Sequence, residues 1–368
     1  MNKLLTVLFI AFLISVLIVP ASAEDLYSSA AKEFGADSLD DILTEEEKSI
    51  GGEFSAKGNY NVGAALARLW AKFVSYINRE LGENLHFCLS LAALALLCSI
   101  ASALCSSKEI NFFIELTACS SAAIILLGGV DSLVSETVNA MYRLSDYSKA
   151  ALPVVFTAAA AAGAVSSATT KFAAVSFALD VLMSISQRLI IPSVYAFLAL
   201  AVANSLFPNP LLATVQKFFK WTCGTLMTAM TMAFTAYINM VGAIGAAVDT
   251  AAVKTARSFI SGVLPVVGGM ISDASAMILS AAGVVKNCAG VYGLIAVASM
   301  CVGPFALLSV KMLMLKAVSA CTESLQVTKL SALYSGLASA MGLLLGLLGS
   351  CGIMLFISLT AGMKAVNI

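Results

Sequence analysis

The sequence predicts an all-α fold, a polytopic bundle of about eight transmembrane helices. Of the 368 residues, 60% are hydrophobic and only 11% are charged, whereas an average soluble domain has about 25% charged residues. Because so few polar side chains cannot cover a water-soluble fold of this length, the apolar excess has to face lipid. Long apolar stretches recur along the chain between short polar segments, and this pattern is typical of several membrane crossings.

The first 23 residues are typical of a signal peptide. Lys3 supplies the positive start, Leu4–Val19 forms the apolar core, and Ala21 and Ala23 supply the small residues of a cleavage site. An uncleaved anchor helix is the alternative interpretation of the same residues. If cleavage occurs, the mature N-terminus lies outside the cytoplasm.

Residues 24–60 form an acidic extracytoplasmic segment, with ten acidic residues against three lysines. A segment this short and this charged cannot bury a core of its own, so we expect it to be loose. Residues 61–84 follow with apolar side chains at helical spacing and with Arg68, Lys72 and Arg79 among them. This pattern predicts an amphipathic helix that lies in the membrane interface or docks a partner, and it leaves both open.

Residues 85–368 form the predicted transmembrane domain. A helix needs roughly 20 apolar residues to cross the hydrocarbon, and eight stretches qualify: 87–105, 110–130, 150–169, 190–207, 221–247, 258–284, 288–310 and 332–360. A shorter helix is expected at 171–188, where Ser176, Asp180, Ser184 and Gln187 form one polar stripe. That stripe should face the bundle interior or lie at the cytoplasmic interface.

Four prolines interrupt the predicted spans and are candidate helix kinks, because each removes a backbone hydrogen bond. They are Pro153, Pro192, Pro265 and Pro304. A kink of this kind can be a functional hinge or a purely structural bend.

Two short matches suggest an internal repeat. Leu152–Val155 recurs as Leu264–Val267, and Phe112-Phe113 recurs as Phe218-Phe219 in the same order. Transporters are often built from such repeats, although short matches in an apolar sequence also arise by chance.

Three carboxylates at membrane depth are the candidate pore-lining or ion-coupling residues: Asp273, Asp180 and Glu115. A charged carboxylate at the bilayer centre costs on the order of 2.5–3.5 kcal/mol, so each should face protein or water. The alternative is an interhelical hydrogen bond or a protonated acid that only aids packing.

The sequence carries no motif for catalysis. It lacks a phosphate-binding loop, a dinucleotide fingerprint, a zinc-protease motif and a nucleophile elbow, and it contains one histidine. The nine cysteines form no CxxC pair. We therefore expect no enzyme activity, no cofactor, no metal and no nucleic-acid partner, and any transport must draw energy from an ion gradient or a partner.

The segment 249–287 resembles the hallmark segment of the stage III sporulation protein AE family of endospore-forming bacteria. The matching residues are Thr255, Ala256, Phe259, Gly262, Pro265, Val266, Val267, Gly268, Asp273, Ala274, Lys286 and Asn287. The general layout of the chain is similar too, but the small-residue run Ala158–Ala162 departs from the family pattern.

The resemblance implies a permease-like membrane subunit of the channel, or secretion apparatus, between mother cell and forespore, located in the outer forespore membrane. It implies partners from the same operon, including an ATPase subunit and ring-forming subunits, and a forespore partner protein. Two alternatives remain: an ion-coupled secondary transporter, and a membrane scaffold for the ring. Homo-oligomerisation is also left open.

Overall fold

The computed structural model describes residues 33–34, 39, 42–51, 62–105, 107–263 and 268–364. Within these ranges, the side chains of 50–51, 243–279 and 281 lie outside the description. The signal peptide, with its cleavage residues Ala21 and Ala23, therefore lies outside the described residues, and so does Pro265.

Throughout the described residues the secondary structure is helical, which confirms the all-α prediction. The helices are α1 (Glu45–Gly51), α2 (Val62–Leu104), α3 (Lys108–Ala161), α4 (Val165–Ile185), α5 (Ile191–Leu206), α6 (Pro210–Val263), α7 (Gly268–Ser324) and α8 (Thr328–Met363). A five-residue π-helix, Ser186–Ile190, joins α4 to α5, so that these form one continuous rod.

Connections of three residues join α2 to α3, α3 to α4, α5 to α6 and α7 to α8, and the helices of each pair pack against one another. The α3–α4 turn contains Gly163, whose φ of 100° lies in the left-handed region that glycine adopts without strain. Phe156 and Phe172 then pack across this turn with their ring centroids 5.9 Å apart. Helix α8 is the most deeply buried rod, and it packs against α3, α4, α5, α6 and α7.

The long helices exceed the thickness of a bilayer. Helix α3 has 54 residues and is about 80 Å long at 1.5 Å per residue, whereas the hydrocarbon core is about 30 Å thick. The polar segment 131–149, expected to separate the predicted spans 110–130 and 150–169, is helical throughout. Its buried positions, such as Val134, Thr137, Met141 and Leu144, recur at intervals of three and four residues, so that most of its charges lie on the exposed face of the helix. Average hydropathy hides this periodicity.

By length and composition, five helical segments among the described residues can cross a membrane: Val62–Leu104, Lys108–Ala161, Val165–Leu206, Ala282–Ser324 and Thr328–Met363. The predicted count of eight is not confirmed. The predicted span 150–169 crosses the turn at residues 162–164, and the predicted span 258–284 extends through residues outside the described part. The predicted amphipathic helix 61–84 is continuous with the first span in α2.

Many of the large exposed apolar side chains lie near one end of the bundle, and others, such as Val165, Phe177 and Met232, lie outside this group. On α2 they run from Leu85 to Leu104, and on α3 from Ile110 to Leu127. A second group runs from Leu189 to Trp221 on the neighbouring rods. The α2 stretch of 20 residues is about 30 Å high, which equals the hydrocarbon thickness. We call this surface the apolar belt, and more than half of α3 extends beyond it.

The prolines differ in their local effect. Pro153 and Pro304 lie inside α3 and α7, which continue past them. Pro192 follows the π-helix, where the Ile191 N–H bonds to Ser186 O, one residue further back than in an α-helix. A π-helix is compatible with a following proline, because proline has no N–H to donate the next backbone hydrogen bond.

The two Phe pairs of the suggested repeat occupy similar places. Phe112-Phe113 lies in the first turns of α3 and Phe218-Phe219 in the early turns of α6, and both helices have 54 residues. Both pairs have an edge-on ring geometry. The second Leu-Pro-Val-Val lies outside the described residues, so the repeat stays a prediction.

The acidic segment before α2 is not loose over its described part, which corrects our expectation. Leu39 and Leu43 are buried in the bundle core. Glu47 of α1 is also buried, and its carboxylate accepts a bond of 2.6 Å from Arg143 of α3. The Glu46 carboxylate accepts one of 2.8 Å from Lys72 of α2. The segment therefore docks on the bundle through Leu39 and Leu43, which join the hydrophobic core of the bundle.

Acid should loosen α1 from the bundle. The hydrogen bond from Lys72 lowers the pKa of Glu46 below its usual range, with a smaller contribution from Tyr76. A depressed carboxyl pKa stabilises the docked state above the unfolded pKa of about 4.3, and this stability is lost as the pH falls through the lower folded value. We expect amide protection factors in Glu45–Ser49 to fall on acidification below about pH 4.

The Glu46→Gln variant should lose most of that pH response. Glu45→Gln is the matched control, because Glu45 is exposed and its ion pair among the described residues is with Lys48 of its own helix. Equal pH responses in both variants would contradict the role of the Glu46–Lys72 pair.

Candidate functional site

Two of the three carboxylates predicted from the sequence have described side chains, and these two lie on different helices. Asp273 lies in the backbone of α7, but its side chain is outside the described part. Asp180 lies on the exposed side of α4, beside exposed Phe177 and Val181. Its polar stripe therefore faces away from the core of this chain. Glu115 is half-buried in α3, inside the apolar belt.

A charged cavity lies instead at the edge of the apolar belt that is farther from the α2–α3 connection. It has a volume of about 390 Å³ and is enclosed by α2, α3, α7 and α8. Its floor is apolar and includes Leu126, Leu337 and Met341. Its charged lining residues are Glu80 and Glu83 of α2, Glu136 of α3 and Lys311 of α7. Three carboxylates against one ammonium favour cations and water over anions.

Lys311 connects the helices across this cavity. Its ammonium donates to Asn84 Oδ1 and lies 5.5 Å from the centroid of the Phe87 ring. Asn84 Nδ2 donates in turn to Glu80 Oε2 at 3.1 Å. The Glu80 side chain is 12% exposed, and one of its oxygens lies 3.7 Å from Arg79. The Asn84 amide thus bridges the Lys311 ammonium and the shielded Glu80 carboxylate by two hydrogen bonds.

Each member of this network is held by a regular helix. Glu80, Asn84 and Phe87 recur at intervals of four and three, so they share one face of α2. Lys311 lies on α7, where its long stem reaches the cavity past apolar neighbours. The geometry brings polar groups to the point where the apolar belt ends, which allows water to enter without crossing lipid.

Sequence reasoning missed this site. Asn84 and Lys311 are 227 positions apart, and each looks like an ordinary polar residue at the end of a predicted span. A signal was present in the i, i+4 spacing of Glu80 and Asn84 within an apolar helix. Without knowing that α7 lies beside α2, that spacing indicates only a solvated helix face.

The site offers no metal centre. Among the side chains that the structure describes, no three His, Cys, Asp or Glu residues are placed to hold a metal ion together. The nine cysteines, all within the described ranges, are free thiols.

A buried ammonium, that of Lys329, lies against α3 about one helical turn from Glu115. Lys329 of α8 is 6% exposed, and its ammonium lies 3.5 Å from the centroid of the Phe112 ring. A desolvated cation–π contact is worth roughly 2 kcal/mol, whereas moving an ammonium out of water costs several kcal/mol. The ring alone does not balance that cost.

Comparison with known proteins gave one match. A family model described as stage III sporulation protein AE matches residues 53–365, nearly the whole chain. It covers all the cavity residues and begins after α1. No curated protein and no solved structure matches the chain.

Removing the Asn84 amide should destabilise the bundle. In Asn84→Ala the Lys311 ammonium loses its acceptor and Glu80 loses a donor, so we expect a loss of about 1–3 kcal/mol in the free energy of unfolding. Thermal or denaturant unfolding of the protein purified in detergent measures this loss. Asn78→Ala, at an exposed position of the same helix, is the control and should be close to neutral. Equal effects of the two substitutions would count against the network.

Proposed function

The chain belongs to the stage III sporulation protein AE family, and on that premise we propose that it is the permease-like membrane subunit of the channel between mother cell and forespore. The coarser statement, a membrane protein of sporulating cells, follows from the family and from the five apolar helices. The transport role, the partners and the outer forespore membrane are parts of the proposal.

The observation that supports a transport role is the charged cavity at the edge of the apolar belt. A protein that only anchors others gains nothing from placing the half-buried Lys311 and Glu80 between four helices, because shielding charges from water is costly. A polar path through or beside the bundle needs such groups. We infer that the Lys311–Asn84–Glu80 network lines part of that path.

We propose that the protein is not an enzyme and that energy for transport comes from a partner. The absence of a phosphate-binding loop in the sequence is consistent with an ATPase subunit as a separate partner. Asp273 and Asp180 stay candidate coupling residues. In an oligomer the exposed stripe of Asp180 would face another subunit or an aqueous path between subunits.

A scaffold is the second candidate function. The part of α2 outside the apolar belt exposes Trp70, which is 67% accessible, together with Arg68 and Arg79. An exposed tryptophan among basic residues suits a lipid headgroup layer or a docked partner. A self-sufficient ion-coupled transporter is the third candidate, and it would move solute in vesicles without any partner.

Neutralising Lys311 should impair sporulation while the protein still accumulates. We expect Lys311→Met to lower spore yield about tenfold or more, the change that about 1.4 kcal/mol produces in a rate. Lys316→Met is the matched control, because Lys316 lies on the same helix at an exposed position. Membrane levels of each variant are measured by immunoblot. Normal spore yield from accumulated Lys311→Met protein would favour the scaffold.

A further inference from the structure

Lys329 is a buried ammonium that has no hydrogen-bond acceptor among the described residues. It is the second residue of α8, and its side chain lies between α8 and α3. Its carbonyl oxygen accepts from the Cys119 thiol at 3.8 Å, and the same thiol lies 3.5 Å from the Ser205 hydroxyl. The ammonium itself rests on the Phe112 ring.

Two physical effects make a lone positive charge unfavourable at this place. Burial removes the hydration of the ammonium. The first turn of a helix carries the positive end of its dipole, so a lysine there is repelled. The residue before α8 is Val327, which provides no side-chain cap. A negative charge close to Lys329 would balance both effects.

The helical register identifies the negative charge. Phe112, Glu115 and Cys119 follow at intervals of three and four, so they share one face of α3. The Lys329 backbone lies at Cys119 and its ammonium at Phe112, so that the lysine stem passes the level of Glu115. Both Glu115 and Lys329 lie close enough to Cys119 to act on its thiol electrostatically.

The other acidic residues nearby lie elsewhere on the bundle. Glu109 is exposed at the start of α3, and Glu323 is exposed at the end of α7. Neither occupies the face of α3 that carries Phe112 and Cys119. Glu115 is the described carboxylate that shares this face with the Lys329 contacts.

We propose that Glu115 and Lys329 form an intramembrane ion pair that joins α3 to α8 and acts as a second charge-coupling site within the apolar belt. The ammonium moves between the Phe112 ring and the Glu115 carboxylate by rotation of its flexible stem. In the structure the ammonium lies on the ring and not on the carboxylate, so the ion pair is inferred from the missing acceptor of Lys329 and from the helix face that Glu115 shares with its contacts. The coupling role rests in addition on the proposed transport function.

The ion pair is tested by a double-mutant cycle on the full-length protein purified in detergent. Glu115→Gln and Lys329→Met should each lower Tm by about 3 °C or more. The double variant should lose no more than the worse single variant, because neither charge is then left unpaired. The exchanged variant, E115K with K329E, should recover much of the loss.

Additive losses in the double variant, or an exchanged variant no better than the single ones, would overturn the pair. Glu109→Gln and Lys108→Met are matched controls at exposed positions of the same helix, and they should leave Tm unchanged. If a single variant fails to fold, Lys329→Arg decides: a paired position should keep Tm near the wild-type value, and a large loss would contradict the pair.

Spore yield separates the coupling role from the pair. The uncharged double variant should accumulate and yield fewer spores by about tenfold or more. Normal yield from that variant would overturn the coupling role, even with the ion pair established in the melting data. Failure of the proposed transport function itself would appear as normal yield from Lys311→Met as well.

Discussion

The packing of α8 against the other rods is the interaction on which the rest of the structure depends. Lipid provides no hydrophobic drive between helices, so close contact has to come from shape. A Cβ placed on Gly336 would lie 2.8 Å from Ala201 Cβ of α5, and one on Gly362 would lie 2.6 Å from Val155 Cγ1 of α3. The absence of these side chains lets α8 lie close to both neighbours, one near each end of the helix.

Two lysines from neighbouring helices lie beside this apolar helix. Helix α8 contains no acidic residue, whereas Lys311 and Lys171 approach it from α7 and α4. The Lys171 ammonium donates to Ala361 O, near the negative end of the α8 dipole, at 3.5 Å. Lys311 borders the cavity that α8 closes with Leu337 and Met341. Lys171 and Lys311 therefore both lie beside α8, which provides no acidic partner for either ammonium.

The class of fold could be predicted from composition, and the division into spans could not. Low charge and long apolar stretches require a lipid-facing surface, and the family resemblance rested on residues that the matched region includes. The polar segment 131–149 was expected to divide α3, but its charges occupy one face of a continuous amphipathic helix. Hydropathy averaged over a window does not distinguish these two cases.

The charged cavity could not be predicted from the sequence, for a related reason. Glu115 was identified from its depth in an apolar stretch, which is a local property. The network of Lys311, Asn84 and Glu80 depends on α2 lying beside α7, and no local pattern contains that information. The docking of α1 was missed for the same reason, because Glu47 finds Arg143 at a separation of 96 residues.

Water should reach the charged cavity, whereas the apolar belt next to it should face lipid. Single cysteines at Glu83, Glu136, Leu97 and Ile124, in a chain without its native cysteines, test this with a membrane-impermeant thiol reagent applied to both sides of the membrane. We expect the cysteines at positions 83 and 136 to react with the reagent and those at positions 97 and 124 to be protected by lipid. Protection of 83 and 136, or equal reaction at all four positions, would contradict it.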